Sequence, residues 1–474
     1  MPPRLPDELC PHDTSPPHSP TTSGYSVNDE GTVEPAAAEE LLPSPGLELS
    51  LPDALAIALQ RNPDWISTLQ ARPVSRAALE VARRYPYAPT AQVQMAPSPR
   101  EADGNTAKTF TQVSLSQTFE LGGQRYHRWR SGIAQLEGTE WQIQHAAVFA
   151  VAETQRRFFT AVYQAQLRDL QHSMAELNEA LLGVLQRRFE AGQASAADIA
   201  LARIEAFSAA QQASVAKTRQ VWALESLRVQ LGLDSDAPLE LNREVDLREL
   251  IPAEVLASLP EQRSDNPDDE ADTEDRAEAG RDFLQLSASR PDVLAAEAEL
   301  RWTESQLNLA QASLVPNVQV GPYFERDEGD TQSWGLVAQM PIGTAYTSAG
   351  KAQVWQRQAE LQRQRVVLDQ FVRKARLEIA AAARRYAQAC RVVEDGRQTT
   401  DEGLSREVQR VEELYNAGQV DVLRVFTARE VLLQFRTSRA EAVNELGQAA
   451  ADLIEATGVL PGTIAPSDRS NEHE

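Results

Sequence analysis

The sequence predicts a mainly α chain with a small β part, built as a strand-strand-long helix-turn-helix unit that occurs twice. Three observations lead there. First, Arg188-Phe-Glu-Ala-Gly-Gln193 returns as Leu414-Tyr-Asn-Ala-Gly-Gln419, and the offset of 226 residues between Gly192 and Gly418 also separates Gly232 from Gly458. An internal repeat reduces the chain to one unit made twice. Second, two segments of each unit alternate apolar and polar residues. Third, each unit carries an apolar series spaced by four and three residues over a stretch too long for an ordinary domain helix.

Residues 1–46 are rich in Pro, Ser, Thr and Glu and read as a disordered tail. They lack the basic start, apolar core and small-residue cleavage site of a secretory signal. The first repeat is read over 47–240. From Leu51 to Tyr85 the pattern is helical but interrupted at Pro63 and Pro73, each removing a backbone donor and crowding the preceding turn, so short helices are expected. Strands follow near 91–97 and 109–119. In the second of these Val113, Leu115 and Phe119 are apolar while Gln112, Ser114, Ser116 and Thr118 are polar, the mark of a strand with one greasy and one wet face. A long helix is read over 122–190, with Leu167, Leu170, Met174, Leu177, Leu181 and Val184 at coiled-coil spacing. It would rise about 100 Å. Ala191-Gly192-Gln193 ends it, Gly being the usual residue for the left-handed turn at a helix end. A shorter helix returns over 194–232.

A linker over 241–288 holds an acidic insert, 261–282, read as a solvated segment. The second repeat, 289–461, keeps the order. Its helix near 291–314 starts on Pro291, tolerated in a first turn. Strands near 317–325 and 332–340 carry Val318, Val320, Trp334, Leu336, Ala338 and Met340. The long helix near 350–416 places Val372, Ala375, Ile379, Ala382, Tyr386, Ala389 and Val393 in its seam. A turn at 417–419, a helix near 421–458 and a tail over 462–474 complete it. The two shorter helices of a unit, stacked end to end, match the long one, giving a rod with strands at one end and Gly turns at the other.

Aromatics make up only 6% of the chain beside abundant Ala, Gln, Glu, Arg and Leu, which suits long, thinly packed helices. A net charge of −23 argues against a nucleic-acid partner. Cys10 and Cys390 make no disulfide framework, and the histidines have no ligand spacing. No phosphate loop, Gly-x-Ser-x-Gly or His-Glu-x-x-His motif occurs, so no enzyme activity, cofactor or metal site is expected. No apolar run approaches the roughly 18 residues of a spanning helix, whereas strands of about ten residues cross a bilayer when tilted. Four strands cannot close a barrel, and an open edge in lipid leaves backbone groups unsatisfied. Three copies would pool twelve, enough for an open lumen. A homotrimer is therefore expected, with polar strand faces on water and apolar faces on lipid.

With this order of elements, and with Tyr415-Asn-Ala-Gly418 and Ala428-Arg429 beside their counterparts Phe189, Gly192, Ala202 and Arg203, residues 47–461 resemble the TolC-like outer-membrane efflux proteins. Glu120-Leu121-Gly122-Gly123-Gln124-Arg125 is similar to the Glu-Leu-Gly-Gly-Lys-Arg signature of the subgroup serving heavy-metal cation exporters of the resistance-nodulation-division type, with Gln124 in place of Lys. The resemblance implies a trimeric twelve-stranded β-barrel in the outer membrane, continued into the periplasm by an α-helical coiled-coil tunnel. It implies a passive conduit for heavy-metal cations or small organic toxins, driven by an inner-membrane pump, with a periplasmic adaptor docking at Gly192, Gln193, Gly418 and Gln419. It also implies a tip latch in which Asp198 and Tyr415, with Arg424 nearby, keep the resting pore narrow. Read from the residues alone, Asp198 is a helix N-terminal charge favoured by the dipole. Arg424 and Thr427 stand where some members carry pore-lining acids, and a ring of three arginines repels cations unless Asp198 neutralises it. The competing class is a non-transporting coiled-coil scaffold or a periplasmic adaptor. An adaptor usually has one hairpin between lipoyl-like halves, whereas this chain has two, each after a strand pair.

Overall fold

The computed structural model describes residues 25–27, 33–35, 49–96, 109–234, 239–243, 250–251, 286–327, 331–341, 348–398 and 401–460. The acidic insert 261–282, the tail 462–474 and Cys10 lie outside the described residues. Within 1–46 a short antiparallel pair is formed by β1 (Tyr25–Val27) and β2 (Val33–Pro35). The chain divides into two compact units: a strand unit of Ser67–His145 and Arg281–Glu378, and a helix unit of Met1–Ile66, Ala146–Gly280 and Ile379–Glu474.

Proline decides how the N-terminal helices are cut. Ser50 caps α1 (Leu51–Arg61), Pro63 opens α2 (Pro63–Leu69), and Pro73 falls in the first turn of α3 (Ala71–Arg83), where its missing donor costs nothing. After α3 come β3 (Thr90–Ala96) and β4 (Phe110–Phe119), then α4 (Gln124–Glu190) and α5 (Ala196–Leu231). The second repeat gives α6 (Pro291–Ala312), β5 (Val318–Arg326) and β6 (Gln332–Gln339). Its long helix runs as α7 (Ser348–Gln398) and α8 (Asp401–Asn416), and α9 (Val422–Thr457) returns.

In the strand unit the four strands form one antiparallel sheet in the order β3-β4-β5-β6. The hairpins of the two repeats therefore meet at β4 and β5. Register sets Val93, Val113, Phe324 and Trp334 in one row across all four strands. The Phe324 and Trp334 rings lie 4.8 Å apart. On the opposite face Tyr323 pairs with Gly335, and a Cβ at Gly335 would meet the Tyr323 ring at 2.4 Å, so the ring covers the place of the missing side chain. The β4–β5 ladder is interrupted where Leu115 and Ser116 face Pro322 and Gly321. Pairing is present at Ser114 with Tyr323 and at Gln117 with Val320, not between them. Pro322 has no N–H to give, and a Cβ at Gly321 would lie 1.8 Å from the Leu115 carbonyl oxygen.

The first part of α4 is held from two sides within this unit. Arg72 of α3 grips Glu140 with three hydrogen bonds of 2.7–3.0 Å, and Ser75 bonds Thr139 at 2.7 Å. On α6, Ala295 and Ala298 pack on Trp141, while Gln306 donates to Ser131 at 2.7 Å. At the start of α6, Arg290 sits buried between Asp292 and Glu378. Burial alone would lower its guanidinium, but its hydrogen bonds to those carboxylates outweigh that and hold it above its usual value.

In the helix unit α9 runs antiparallel to the rest of α4. Gln448 donates to the Arg156 carbonyl and to Thr160, while Arg156 bonds Asp452 and Glu455. On α5 the alanines Ala202, Ala209, Ala216 and Ala223 recur every seventh residue and are all buried. The Gln230 side chain of α5 donates to the Ala150 carbonyl of α4. The end of α1 docks on the end of α5: Asn62 donates to the Gln230 carbonyl at 2.8 Å, and a Cβ at Gly232 would meet the Arg61 carbonyl oxygen at 2.2 Å. Ala375, Ile379, Ala382 and Ala389 of α7 are buried as their spacing predicts, whereas Leu177 of α4, read as part of a seam, is 47% exposed. Its backbone serves the packing instead, because its carbonyl accepts from Arg429.

Between α9 and α4 the packing is close at Gly447, where a Cβ would come within 2.2 Å of the fully buried Phe159 ring. Gly447→Ala is expected to destabilise the chain by about 1–3 kcal/mol, read as a lower thermal midpoint by circular dichroism. An added Phe159→Leu should recover part of the loss. An unchanged midpoint for the single variant would contradict this packing.

Candidate functional site: sheet faces, junction and hairpin tips

Alternation in the strands becomes two chemically distinct faces. On one, Val93, Met95, Leu115, Trp334 and Leu336 are exposed, the last two by 77% and 78%. The other face surrounds a hollow of about 210 Å³ lined by Gln92, Gln94, Gln112, Ser114, Ser116 and Gln319, with Gln339 and Val337 beside them. Among the described residues neither face has a packed core, and β3 and β6 each leave one edge unpaired. An edge of that kind is a template for another strand.

Below the sheet, still within the strand unit, the signature residues build a junction. Gly123 takes φ +75, a left-handed conformation suited to glycine, and α4 begins at the next residue. Gly122 lies so close to the end of α6 that a Cβ there would meet the Ala312 carbonyl oxygen at 2.2 Å. Glu120, its side chain 4% exposed, is bound in two-pronged fashion by Arg128 at 2.6 and 2.9 Å. Arg125 donates to the Arg83 carbonyl at 3.3 Å, tying the junction to α3, while Leu121 points outward.

Gln124, noted in the sequence only as a departure from lysine, turns out to be central. Its buried amide donates at 3.2 Å to the Ala312 and Val315 carbonyls and to Asn317, and its oxygen accepts from the Gly122 N–H at 3.0 Å. It thus supplies a donor to carbonyls at the end of α6, of which Ala312 also accepts from the Val315 N–H at 3.2 Å. Tyr85 and Tyr87 complete the collar. The Tyr85 hydroxyl donates to the Thr118 carbonyl and accepts from the Glu120 N–H, and the Tyr87 hydroxyl accepts from Asn317 at 2.9 Å.

At the C-terminal ends of α4 and α8, in the helix unit, both turns are built alike. Gly192 and Gly418 adopt φ +73 and +72, and the N–H groups of Gln193 and Gln419 reach back to the Arg188 and Leu414 carbonyls at 2.7 and 2.9 Å. Nothing lies within 4 Å of a Cβ at either glycine, so the backbone turn and not space demands them. All four turn residues, Gly192, Gln193, Gly418 and Gln419, are exposed.

Asp198 is half-buried and closes a capping box. Its carboxylate accepts from the Ser195 N–H at 3.0 Å and hydroxyl at 2.8 Å, while Ser195 accepts from the Asp198 N–H. Tyr415 packs on the cluster of Leu181, Leu185, Ala202, Val422, Val425 and Phe426, with the Arg188 guanidinium 5.0 Å above its ring. Arg424 is exposed in the first turn of α9. Among the described residues no hydrogen bond or ion pair joins Asp198, Tyr415 and Arg424 to one another.

Two arginines that the sequence reading gave no role join the hairpins instead. Arg188 also donates to Asn416 at 3.0 Å. Arg429 binds Glu412 at 2.7 Å and the Leu177 carbonyl at 3.1 Å. The repeated Ala-Arg pairs at 202–203 and 428–429 were the available signal for the second.

Gln124→Ala would leave the Val315 carbonyl without a donor at a buried helix end, the Ala312 carbonyl keeping the Val315 N–H, a cost of about 1–3 kcal/mol. Amide hydrogen exchange over 312–320 should quicken by mass spectrometry, and less so in Gln124→Lys, which still donates to the carbonyls but cannot accept from the Gly122 N–H. Equal rates in all three would remove Gln124 from this role.

No family model matches the chain, and no curated protein matches it by sequence. Solved structures do. A membrane protein from Pseudomonas aeruginosa is similar with a TM-score of 0.70 at 19% identity, over 88% of this chain and 92% of that one. CusC, described in connection with folding and transmembrane channel formation, is similar at 0.67 and 16% identity, over 95% and 99%. The CmeC outer-membrane channel of Campylobacter jejuni is similar at 0.67 and 14% identity, over 94% of each chain. Over nearly its whole length, then, this chain has the fold of outer-membrane channels of the TolC type.

Proposed function

We propose that the chain is the outer-membrane channel of a tripartite efflux system, a passive homotrimeric conduit from periplasm to exterior. One observation carries this reading: a four-stranded sheet with both edges open, a bare apolar face and a polar concave face. Pairing β6 of one copy with β3 of the next satisfies every edge only when the sheet closes on itself. Three copies give twelve strands, with Trp334 and Leu336 against lipid and Gln94, Gln112 and Ser114 on water. Amides and hydroxyls make up most of this lining, with the Glu325 carboxylate beside Gln112 its one acid among the described strand residues. Such a lining suits a conduit that leaves selection and energy to an inner-membrane pump, with heavy-metal cations or small organic toxins as cargo.

The exposed turns at Gly192, Gln193, Gly418 and Gln419 are the proposed seats for a periplasmic adaptor. The proposed latch is a contact between hairpins of the assembly. Asp198 and Arg424 occupy equivalent places in the two repeats, so a ring of hairpins alternates acid and base at that level. Each arginine then has a carboxylate to either side, and Asp198 exchanges its bonds to Ser195 for bonds to Tyr415 or Arg424.

Two measurements test this. Leu336→Arg puts a charge on the lipid face, which costs about 2–4 kcal/mol at mid-bilayer; heat-sensitive trimers should vanish from the outer-membrane fraction. Gln94→Arg, on the water face, should leave trimers intact. A native chain that stays monomeric and fractionates away from membranes would overturn the channel. Separately, Asp198→Ala should raise single-channel conductance in planar bilayers, and unchanged conductance would count against the latch.

A further inference from the structure

The contact made by Arg429 has a counterpart position that makes none. Where α9 packs on α4, Arg429 is buried, binds Glu412 of α8 and donates to the Leu177 carbonyl of α4. The 226-residue offset carries Arg429 onto Arg203, Leu177 onto Gly403, Leu181 onto Glu407 and Glu412 onto Gln186. Arg203 lies exposed on α5, and among the described residues it has no hydrogen-bond or ion-pair partner. The carboxylate has changed sides. It is lost from the arginine's own hairpin, where Gln186 replaces Glu412, and appears on the equivalent of the facing helix, where Glu407 replaces Leu181.

Within the chain Glu407 meets Arg410 at 3.4 Å with both side chains strongly exposed, a pair that holds it weakly. Gly403, one turn earlier on α8, has open space where a Cβ would be. Its carbonyl is thus accessible to a neighbouring guanidinium.

The surrounding surface agrees. The α9 face that meets α4 includes Gly447, against Phe159, and Gln448, against Arg156 and Thr160. The same offset carries these onto Val221 and Trp222 of α5, which are 50% and 74% exposed. Phe207, one turn beyond Arg203, is 73% exposed. A strip of large apolar side chains left open along one helix marks an interaction surface.

We propose that α5 of one copy packs on α8 of a second copy as α9 packs on α4 inside the chain, with Arg203 donating to the second copy's Gly403 carbonyl and Glu407 carboxylate. This contact is head-to-tail, so repeating it generates a ring that closes if the rotation allows. It deepens the trimer reading and rests on it, adding a particular seam and its ion pair.

The test uses the full chain in native membranes. Arg203→Cys combined with Glu407→Cys, in a background with Cys10 and Cys390 changed to serine, should give covalently linked oligomers with a short bismaleimide, while either single cysteine should not. In parallel, Arg203→Glu and Glu407→Arg should each lower the temperature at which trimers dissociate on gels, and the double reversal should restore it. A native trimer that neither cross-links at these positions nor responds to the reversals overturns the seam and leaves the channel reading standing. A native chain that forms no oligomer overturns both.

Discussion

Backbone hydrogen bonding at the edges of the sheet is the constraint from which the rest follows. β3 and β6 each present a row of N–H and C=O groups with no partner among the described residues. In water such edges are a hazard that proteins blunt with charges or cover. Here one flat side of the same strands is also apolar and bare, with Trp334 and Leu336 its most open members. Leaving both edge and face in water is costly; placing them in hydrocarbon is tolerable only if every edge group is paired. In the proposed assembly, closure with further copies removes both penalties at once, and it would account for a sheet that has no packed core on either side among the described residues.

A wall of this kind needs a firm base, which the junction supplies. Four chain segments, the end of α3, the strand-to-helix turn after β4, the start of α4 and the end of α6, are tied together by Glu120, Gln124, Arg128 and the two tyrosines. Gly122 permits the approach and Gly123 the turn. A neutral amide does the central work. Gln124 meets both a donor and acceptors in a buried setting, which an ammonium group cannot do since it only donates.

Much of this was legible beforehand because it is local. Period-two alternation located the strands, Gly192 and Gly418 located the turns, and the repeated blocks supplied the order of elements. The alternative to a latch, Asp198 as a charge at a helix N-terminus, needed only its place in the sequence, whereas its capping box with Ser195 emerged from the structure. What could not be read depends on partners distant in sequence. Gln124 reaches carbonyls 188 and 191 residues away, and Arg429 reaches one 252 residues away. Leu177 misled for a related reason, since its apolar side chain suggested a buried seam while the packing uses its carbonyl. The short helices before β3 were foreseeable in kind, because each proline could sit only near a helix start.

The interrupted rungs opposite Gly321 and Pro322 bear on how such a wall comes to be curved. A continuous ladder resists folding along its length, whereas a proline without a donor beside a glycine without a side chain makes a crease. That interruption falls in the middle of the chain's own four strands, between the two repeats, and Ser114, Ser116 and Gln319 beside it line the hollow on the polar side. In the proposed assembly of three copies, an arc started at this interruption would be inherited from the staves instead of being imposed by the hoop.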